Sequence, residues 1–494
     1  MVKVVVGEET QLKLAEDRLT QSALPSQVGL VIGKLSSSLE RGFVFDLIPT
    51  PPNDDGKSAC SVIESVRDDK KKGSKSKSLS ESSSLFIDQD WVAEHARQVS
   101  RMLLGGMQVV GIYIWASESS FKNSTITLCQ TVKGVAEVAS VVKNDWDEGL
   151  LIHISYSPRR WTCRNCTLAS NITSSSLRPC DFKMGRVLTS LQTFRCTYKF
   201  DLRLPIIHEN VSNVRKLADI LRFGISSHAK ELESAKALID GKLVTQDEQC
   251  ASDGLHEVEF LLPFMQDTSL EACSRKDVIG VLVFRGSVCS FAYLNSKESI
   301  SQALADMKGD IIMSLQCRLD ILHDEAEREI ESYGNDGEGA SPDASTEKPI
   351  LQMDLQLLRK TCSLSFPRRV FVPWLAGTYI CDYLQPSETL EVLKDNCVEL
   401  MSMEASIDES TILEPETEAP TSTTLATKSF WEMAVPFSSA SVPDCSSLKN
   451  SRDDTCRGSH SESDKSVGFN IWAAVLGLIL SVLVGLVLFV FRPS

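Results

Sequence analysis

Two stretches, Val109-Val110-Gly111-Ile112-Tyr113-Ile114-Trp115 and Leu150-Leu151-Ile152-His153-Ile154-Ser155-Tyr156, decide the fold class. Each is a short apolar run rich in β-branched and aromatic residues, the pattern of a strand buried on both faces. Between them Val132, Val135, Val138 and Val142 mark a helix or an irregular segment. Upstream, Trp91, Val92, His95, Val99, Met102 and Leu103 fall near one face of a helix over about 88–104, and Gly105-Gly106 ends it. Downstream, residues 187–207 give an amphipathic stretch and a strand from Cys196 to Leu204. This β-α-β order predicts an α/β or α+β fold.

Moving outward, residues 1–52 read as strand, loop, strand, with Val28–Gly33 and Gly42–Ile48 as the β-type runs and Pro49, Pro51 and Pro52 closing them. Residues 53–84 are rich in Ser, Lys and Asp and read as a flexible insertion. From 211 to 241 the pattern is helical. Strands are expected at Val258–Pro263 and Val278–Tyr293. A long helix over about 297–333 carries one apolar stripe: Ile300, Leu304, Met307, Ile311, Leu315, Leu319, Leu322, Ala326 and Ile330. That stripe suits core packing or pairing with a partner helix. After a Gly/Asp/Ser/Pro break at 334–349 come strands at Arg368–Trp374 and Tyr379–Leu384, then a helix from Ser387, its expected cap, to Met403. Residues 404–467 read as a disordered tether with an r.m.s. span of ~45 Å. The expected division is an N-terminal α/β domain at 1–207, a second α+β region at 208–403, the tether, and a single transmembrane helix at 468–491.

That last segment contains Ile471-Trp472-Ala473-Ala474-Val475-Leu476-Gly477 and continues without a charge to Phe491. Its length suits a bilayer core of ~30 Å at ~1.5 Å per residue. The N-terminus lacks the apolar region of ~7–15 residues that a secretory signal needs, since Glu8 and Glu9 follow three valines at once. A tail-anchored, single-pass topology with a cytosolic body is therefore expected, inserted after synthesis ends. Within the span Ala473, Gly477, Ser481 and Gly485 recur every four residues and form a small-residue face that a second helix could approach closely.

The chain has 494 residues, 42% of them hydrophobic, enough for more than one core. A net charge of −15 argues against a nucleic-acid partner. The Lys70–Lys77 cluster sits among Ser and Gly and reads as a solvated loop. The 15 scattered cysteines suit reduced core thiols of a cytosolic protein. Sequons at Asn123, Asn165, Asn171 and Asn210 would then be silent, which makes glycosylation a test of topology.

Catalytic signatures are missing. Gly56-Lys57-Ser58 mimics the end of a phosphate loop, but Pro51 stands where its first glycine belongs. His208-Glu209 and His256-Glu257 lack the second histidine of a zinc-protease motif. Cys163-Arg164-Asn165-Cys166 has zinc or redox spacing, yet Cys180 and Cys196, the next cysteines, are isolated rather than a second close pair. No catalytic residue, metal site or cofactor is expected. The alternative is a membrane-anchored cysteine hydrolase using Cys163 or Cys166 with His153.

The segments LLIHISYSPRRWTCRN (150–165), TYKFDLRLPI (197–206) and FPRRVFVPW with YICDYL (366–384) resemble the odorant-response-abnormal protein four family, and the chain looks like a plant version of it. The resemblance covers most of residues 1–400. It implies a non-catalytic adaptor at the endoplasmic reticulum membrane, one that supports folding and exit of polytopic receptors and recruits the cysteine protease of the ubiquitin-fold modifier pathway. A second resemblance, of 28–33, 88–104 and 109–115 to the MPN domain, implies a degenerate MPN-like domain. Active members carry H-x-H after the Gly-x-Tyr of that strand, and here Ile114 and Ala116 occupy those positions.

Overall fold

The computed structural model describes residues 2–36, 39–64, 83–139, 148–168, 172–173, 176–207, 217–244, 254–263, 278–335, 357, 364–404 and 407–416. The expected small-residue face at Ala473, Gly477, Ser481 and Gly485, the whole span 468–491 and most of the tether lie outside these residues. Among the described residues no helix is long and apolar enough to cross a membrane.

The chain is mixed α+β. Its first sheet closes into a barrel in the order β1 (Val4–Glu8), β3 (Arg41–Pro49), β2 (Gln27–Ser36), β6 (Gln108–Trp115), β7 (Glu148–Tyr156), β8 (Arg159–Thr167) and β9 (Leu177–Gly185), and β9 pairs in parallel with β1. Both faces of this sheet are covered, which is why its central strands read as unbroken apolar runs. Leu30, Ile32, Ile112 and Ile114 pack with α2 (Gln89–Met102) and α4 (Thr125–Ala139). Val31, Tyr113, Ile152 and Ile154 form a separate core with Leu12, Ala15 and Leu19 of α1 (Glu9–Gln21).

Helix α2 begins where Asp88 accepts a hydrogen bond from Trp91 N at 3.1 Å, satisfying one of the free amides of the first turn. It ends before Gly105 and Gly106, both in the left-handed region at φ +66 and +79. Gly105 also lets two sheets meet: its backbone bridges Ala292, and a Cβ there would stand 2.2 Å from the Tyr293 ring. At Gly111 the parallel strands β6 and β7 approach so closely that a Cβ would lie 1.9 Å from the Leu150 carbonyl oxygen.

The second sheet runs β12 (Lys242–Leu243), β11 (Lys236–Ile239), β13 (Leu255–Leu261), β10 (Leu191–Ile207), β14 (Val278–Asn295). Helix α5 (Leu217–Glu233) and the long α6 (Ile300–Asn335) cover it. Much of the predicted stripe of α6 is buried against this sheet, with Met307, Ile311, Leu315 and Leu319 among Phe194, Phe200 and Phe284 and Leu304 partly buried beside them; the side chain of Ile330 lies outside the described residues. The stripe therefore serves the protein's own core. The hairpin β15 (Arg368–Pro373)–β16 (Tyr379–Leu384) and α7 (Leu390–Met401) return to the N-terminal half, where Val370, Phe371, Ile380, Leu393 and Cys397 share the core of α2.

Several expectations change. Residues 9–21, assigned no element from the sequence, are helical. The insertion expected at 53–84 is ordered in part: its residues 60–64 form β4 (Cys60–Glu64), which pairs with β5 (Ser83–Ile87), because Cys60, Leu85 and Ile87 join the core. The helix expected over 211–241 ends at Glu233, and β11 and β12 follow, joined by Asp240 and Gly241 at φ +49 and +75, a two-residue hairpin turn. Strand β10, counted by sequence with residues 1–207, makes its ladders in the second sheet with β13 and β14. Helix α7 starts after Thr389, not after a Ser387 cap. The segment 407–416, read as tether, lies on the body: Leu413 exchanges both main-chain hydrogen bonds with Phe371 at 2.9 Å.

Candidate functional site

The geometry separates the residues of the hydrolase alternative. In the β7–β8 ladder His153 stands opposite Thr162, and Ile152 opposite Cys163. Successive side chains point to opposite faces, so Cys163 lies in the α1-side core and His153 on the α2/α4 side. Cys166 shares the His153 face but is four residues beyond Thr162, about 13 Å away at ~3.3 Å per residue. Neither thiol is within the ~2.6–3.2 Å that a nucleophile and its base require. The odd spacing of the C-x-x-C pair also puts its two sulfurs in different cores, which forbids a shared metal or a dithiol. Their sulfur neighbours come from elsewhere: Cys163 stands opposite Cys180 on β9, and Cys166 meets Cys129 of α4. All ten described cysteines are free.

His153 is a core residue. It is fully buried, its ring stacks 4.1 Å from Phe121, its Nε2 donates to the Ala116 carbonyl at 3.1 Å, and burial lowers its pKa. The carbonyl that orients it belongs to Ala116, one of the two positions where an active MPN domain would place a metal ligand. Ile114 and Ala116 are both fully buried and offer no side-chain donor to a cation. His323, Asp324 and Glu327 cluster on α6, but the two carboxylates are exposed and the group carries no further sign of a ligand.

What sequence reading missed is a buried charged hub along α6. Lys34 of β2 reaches Asp306 at 2.7 Å, Glu298 at 3.6 Å and the Tyr293 carbonyl at 3.2 Å. Burial alone would lower the Lys34 pKa; attraction to Asp306 and Glu298 outweighs it, so the ammonium stays charged. One turn on, Arg369 of β15 is wholly buried and grips Asp310 bidentately at 2.6 and 3.0 Å. Its Nη1 also donates to the Cys289 carbonyl at 3.3 Å. Glu416 then pairs with Arg318 and accepts from the Cys289 amide at 2.7 Å. One helix thus joins the barrel, the second sheet, β15 and the end of the described chain. The available signal was Asp306 and Asp310, four apart and beside the apolar stripe, together with Arg369 next to the apolar run Val370–Pro373.

A cavity of about 440 Å³ opens between α1 and the chain after α7, with Arg18 and Asp46 at one side and Trp374, Leu375, Met401 and Met403 at the other. Burial pushes the Asp46 carboxyl up to about 6, although Arg18 lies 3.7 Å away.

These features define a mixed α+β body whose buried polar groups are used to join its parts, with the sequence-proposed dyad unformed. Residues 29–412 match the family model described as ODR4-like, Odorant response abnormal 4-like, and the chain belongs to that family. It is 25% identical over 429 residues to the Protein odr-4 homolog of Xenopus laevis, covering 81% of this chain and 84% of that one. It is 25% identical over 411 residues to the Protein odr-4 homolog of Homo sapiens, covering 78% and 80%. Among solved structures it resembles UfSP from C. elegans with a TM-score of 0.35 and 7% identity, over 81% of this chain and 56% of that one.

Proposed function

We propose that this chain is a non-catalytic, tail-anchored adaptor of the endoplasmic reticulum membrane. Its body is cytosolic, recruits the ubiquitin-fold modifier protease, and supports folding and trafficking of polytopic membrane receptors. The observation that carries the reading is the uncharged run Ile471–Phe491 behind a body whose family match spans 29–412. The separation of His153 from Cys163 and Cys166 supports a non-catalytic role, and the buried Ile114 and Ala116 support a degenerate MPN-like scaffold. Asn165 supports the cytosolic side: it is buried and bonded to Glu148, so a glycan there is incompatible with this fold.

Anchoring concentrates a bound protein near the membrane without any new contact. Deleting residues 468–494 should move both the chain and the protease to the cytosolic fraction. If the protease stays with the membranes in unchanged amount while the chain leaves, recruitment is wrong.

A further inference from the structure

Two thiol–thiol contacts, Cys163–Cys180 and Cys129–Cys166, differ in their access to solvent. Cys163 on β8 and Cys180 on β9 are direct cross-strand partners in an antiparallel ladder. Such partners have Cα atoms ~4.5–5.5 Å apart and side chains on one face, inside the ~4.4–6.8 Å that a disulfide spans. Both side chains join the α1-side core, beside Trp161 and Phe182, whose rings stack at 5.9 Å. Cys163 donates to the Cys180 sulfur, and the Cys180 thiol donates to the Val2 carbonyl at 3.6 Å. Among the described cysteines Cys180 alone is not buried. Cys129 and Cys166, by contrast, are both fully buried.

We propose that Cys180 and Cys163 form a peroxide-reactive dithiol: the partly exposed Cys180 is oxidised first, and the buried Cys163 resolves it to a disulfide that fastens β9 to β8. The Cys180 sulfur attacks one oxygen of a hydroperoxide. The S–O bond forms, the O–O bond breaks, and the leaving oxygen takes the thiol proton. The Cys163 sulfur then attacks the sulfenic sulfur. The S–S bond forms, the S–O bond breaks, and the hydroxide leaves with the Cys163 proton as water. Two electrons pass from the sulfur pair to the peroxide, and a dithiol reductant reverses the change by thiol–disulfide exchange. The electrostatics agree with this order. The Cys163 hydrogen bond holds the Cys180 thiol below its ordinary range, against burial and the Glu148 charge, while that bond and burial push Cys163 well up. The thiolate is the attacking form. Residues 164–179 lie inside the closed loop. Strand β9 is the one that closes the barrel on β1, with the Asp181 amide donating to the Lys3 carbonyl at 3.1 Å. A cross-link closing a loop of this size makes opening of β9 about 100-fold rarer. The adaptor reading is not needed for this inference.

The test treats the full chain in mild detergent with hydrogen peroxide, then alkylates it under denaturing conditions and maps the peptides by mass spectrometry. The parent should form the Cys163–Cys180 disulfide at least about tenfold faster than a Cys129–Cys166 one, and dithiothreitol should restore both thiols. Amides 181–185 should exchange about 100-fold more slowly in the oxidised protein than in the reduced one. Cys163→Ser should stop at a sulfenic acid on Cys180, captured by a dimedone probe. Cys180→Ser should leave Cys163 reduced. The proposal is overturned if Cys163 and Cys180 both stay alkylatable in the parent, or if Cys163 is oxidised as fast in Cys180→Ser. Equal oxidation of Cys129 and Cys166 also overturns it, because peroxide would then enter by unfolding. Unchanged exchange of 181–185 overturns the fastening of β9. Cys180 is only partly buried, so Cys180→Ser decides the matter even if Cys163→Ser fails to fold.

Discussion

Replacing Arg369 by Met should be among the most damaging single changes in the protein, and replacing Asp310 by Leu as well should largely undo the damage. The guanidinium is 0% exposed and the carboxylate 3% exposed. Solvent therefore cannot compensate a partner left behind. Removing one member of such a pair costs about 3–5 kcal/mol, mostly the penalty of an uncompensated buried charge. Exchanging both for apolar groups is neutral or stabilising by about 1–4 kcal/mol in comparable cases. The coupling in a double-mutant cycle should then be at least about 3 kcal/mol. The assay is hydrogen exchange at Val370 and Val372 of β15, which pair with Asp382 and Ile380 of β16. Opening free energies reduced by about 3–5 kcal/mol accelerate exchange roughly 100- to 5,000-fold. In the double variant exchange should return to within about tenfold of the parent. If each single change alters exchange less than about twofold, or the double variant loses the sum of the single losses, the hub does not hold β15 as argued.

Other outcomes follow from the same geometry. Gly111→Ala should cost about 3–5 kcal/mol, because the Leu150 carbonyl 1.9 Å away is backbone and cannot rotate aside; Gly134→Ala, with open space around it, should instead add about 0.5–1 kcal/mol, and thermal melts of the two variants distinguish them. His95 donates from Nε2 to the Leu400 carbonyl and accepts from Thr50, and burial lowers its pKa below 6.5. Its folded value lies below its unfolded one, so its stability contribution is present above about pH 6.5 and is lost as pH falls. The loss of thermal midpoint between pH 7 and 5 should shrink in His95→Gln. It should steepen in Asp46→Asn, because Asp46, raised to about 6, stabilises the fold at low pH and loses that contribution as pH rises through about 6. Changing Gly477 and Ser481 to Leu should leave membrane insertion intact, measured by carbonate extraction, while abolishing lateral cross-linking of the proposed span.

The elements legible in the sequence were those whose pattern is local. Helix α2, strands β6, β7 and β14 and helix α6 carry runs or stripes that specify their own type. Helix α1 escaped because its buried residues, Leu12, Ala15 and Leu19, are few and lie among charges. The hub escaped for a different reason. Lys34 and Asp306 are 272 residues apart, and Arg369 and Asp310 are 59 apart, so no periodicity announces that these charges are buried against each other. The residues of the hydrolase alternative are separated by geometry that strand spacing partly contained: parity puts Cys163 on the face opposite His153, and Cys166, on the same face as His153, lies four residues beyond Thr162. Segment 407–416 read as tether because Leu413 and Glu416 are held mainly by backbone and carboxylate bonds, which composition does not register.

The return of β15, β16 and α7 to the core of α2 also sets a timetable. Val92, Val99 and Met102 emerge from the ribosome early, yet the side chains that cover them, among them Val370, Ile380 and Leu393, are about 300 residues further on. At ~5–20 residues per second that interval is about 15–60 s. For that time each nascent chain displays an incomplete apolar face, and the N-terminal half cannot finish folding as it is made. Shielding that face during synthesis is a demand this topology places on the cell, and slowing translation between Met102 and Arg368 would lengthen it.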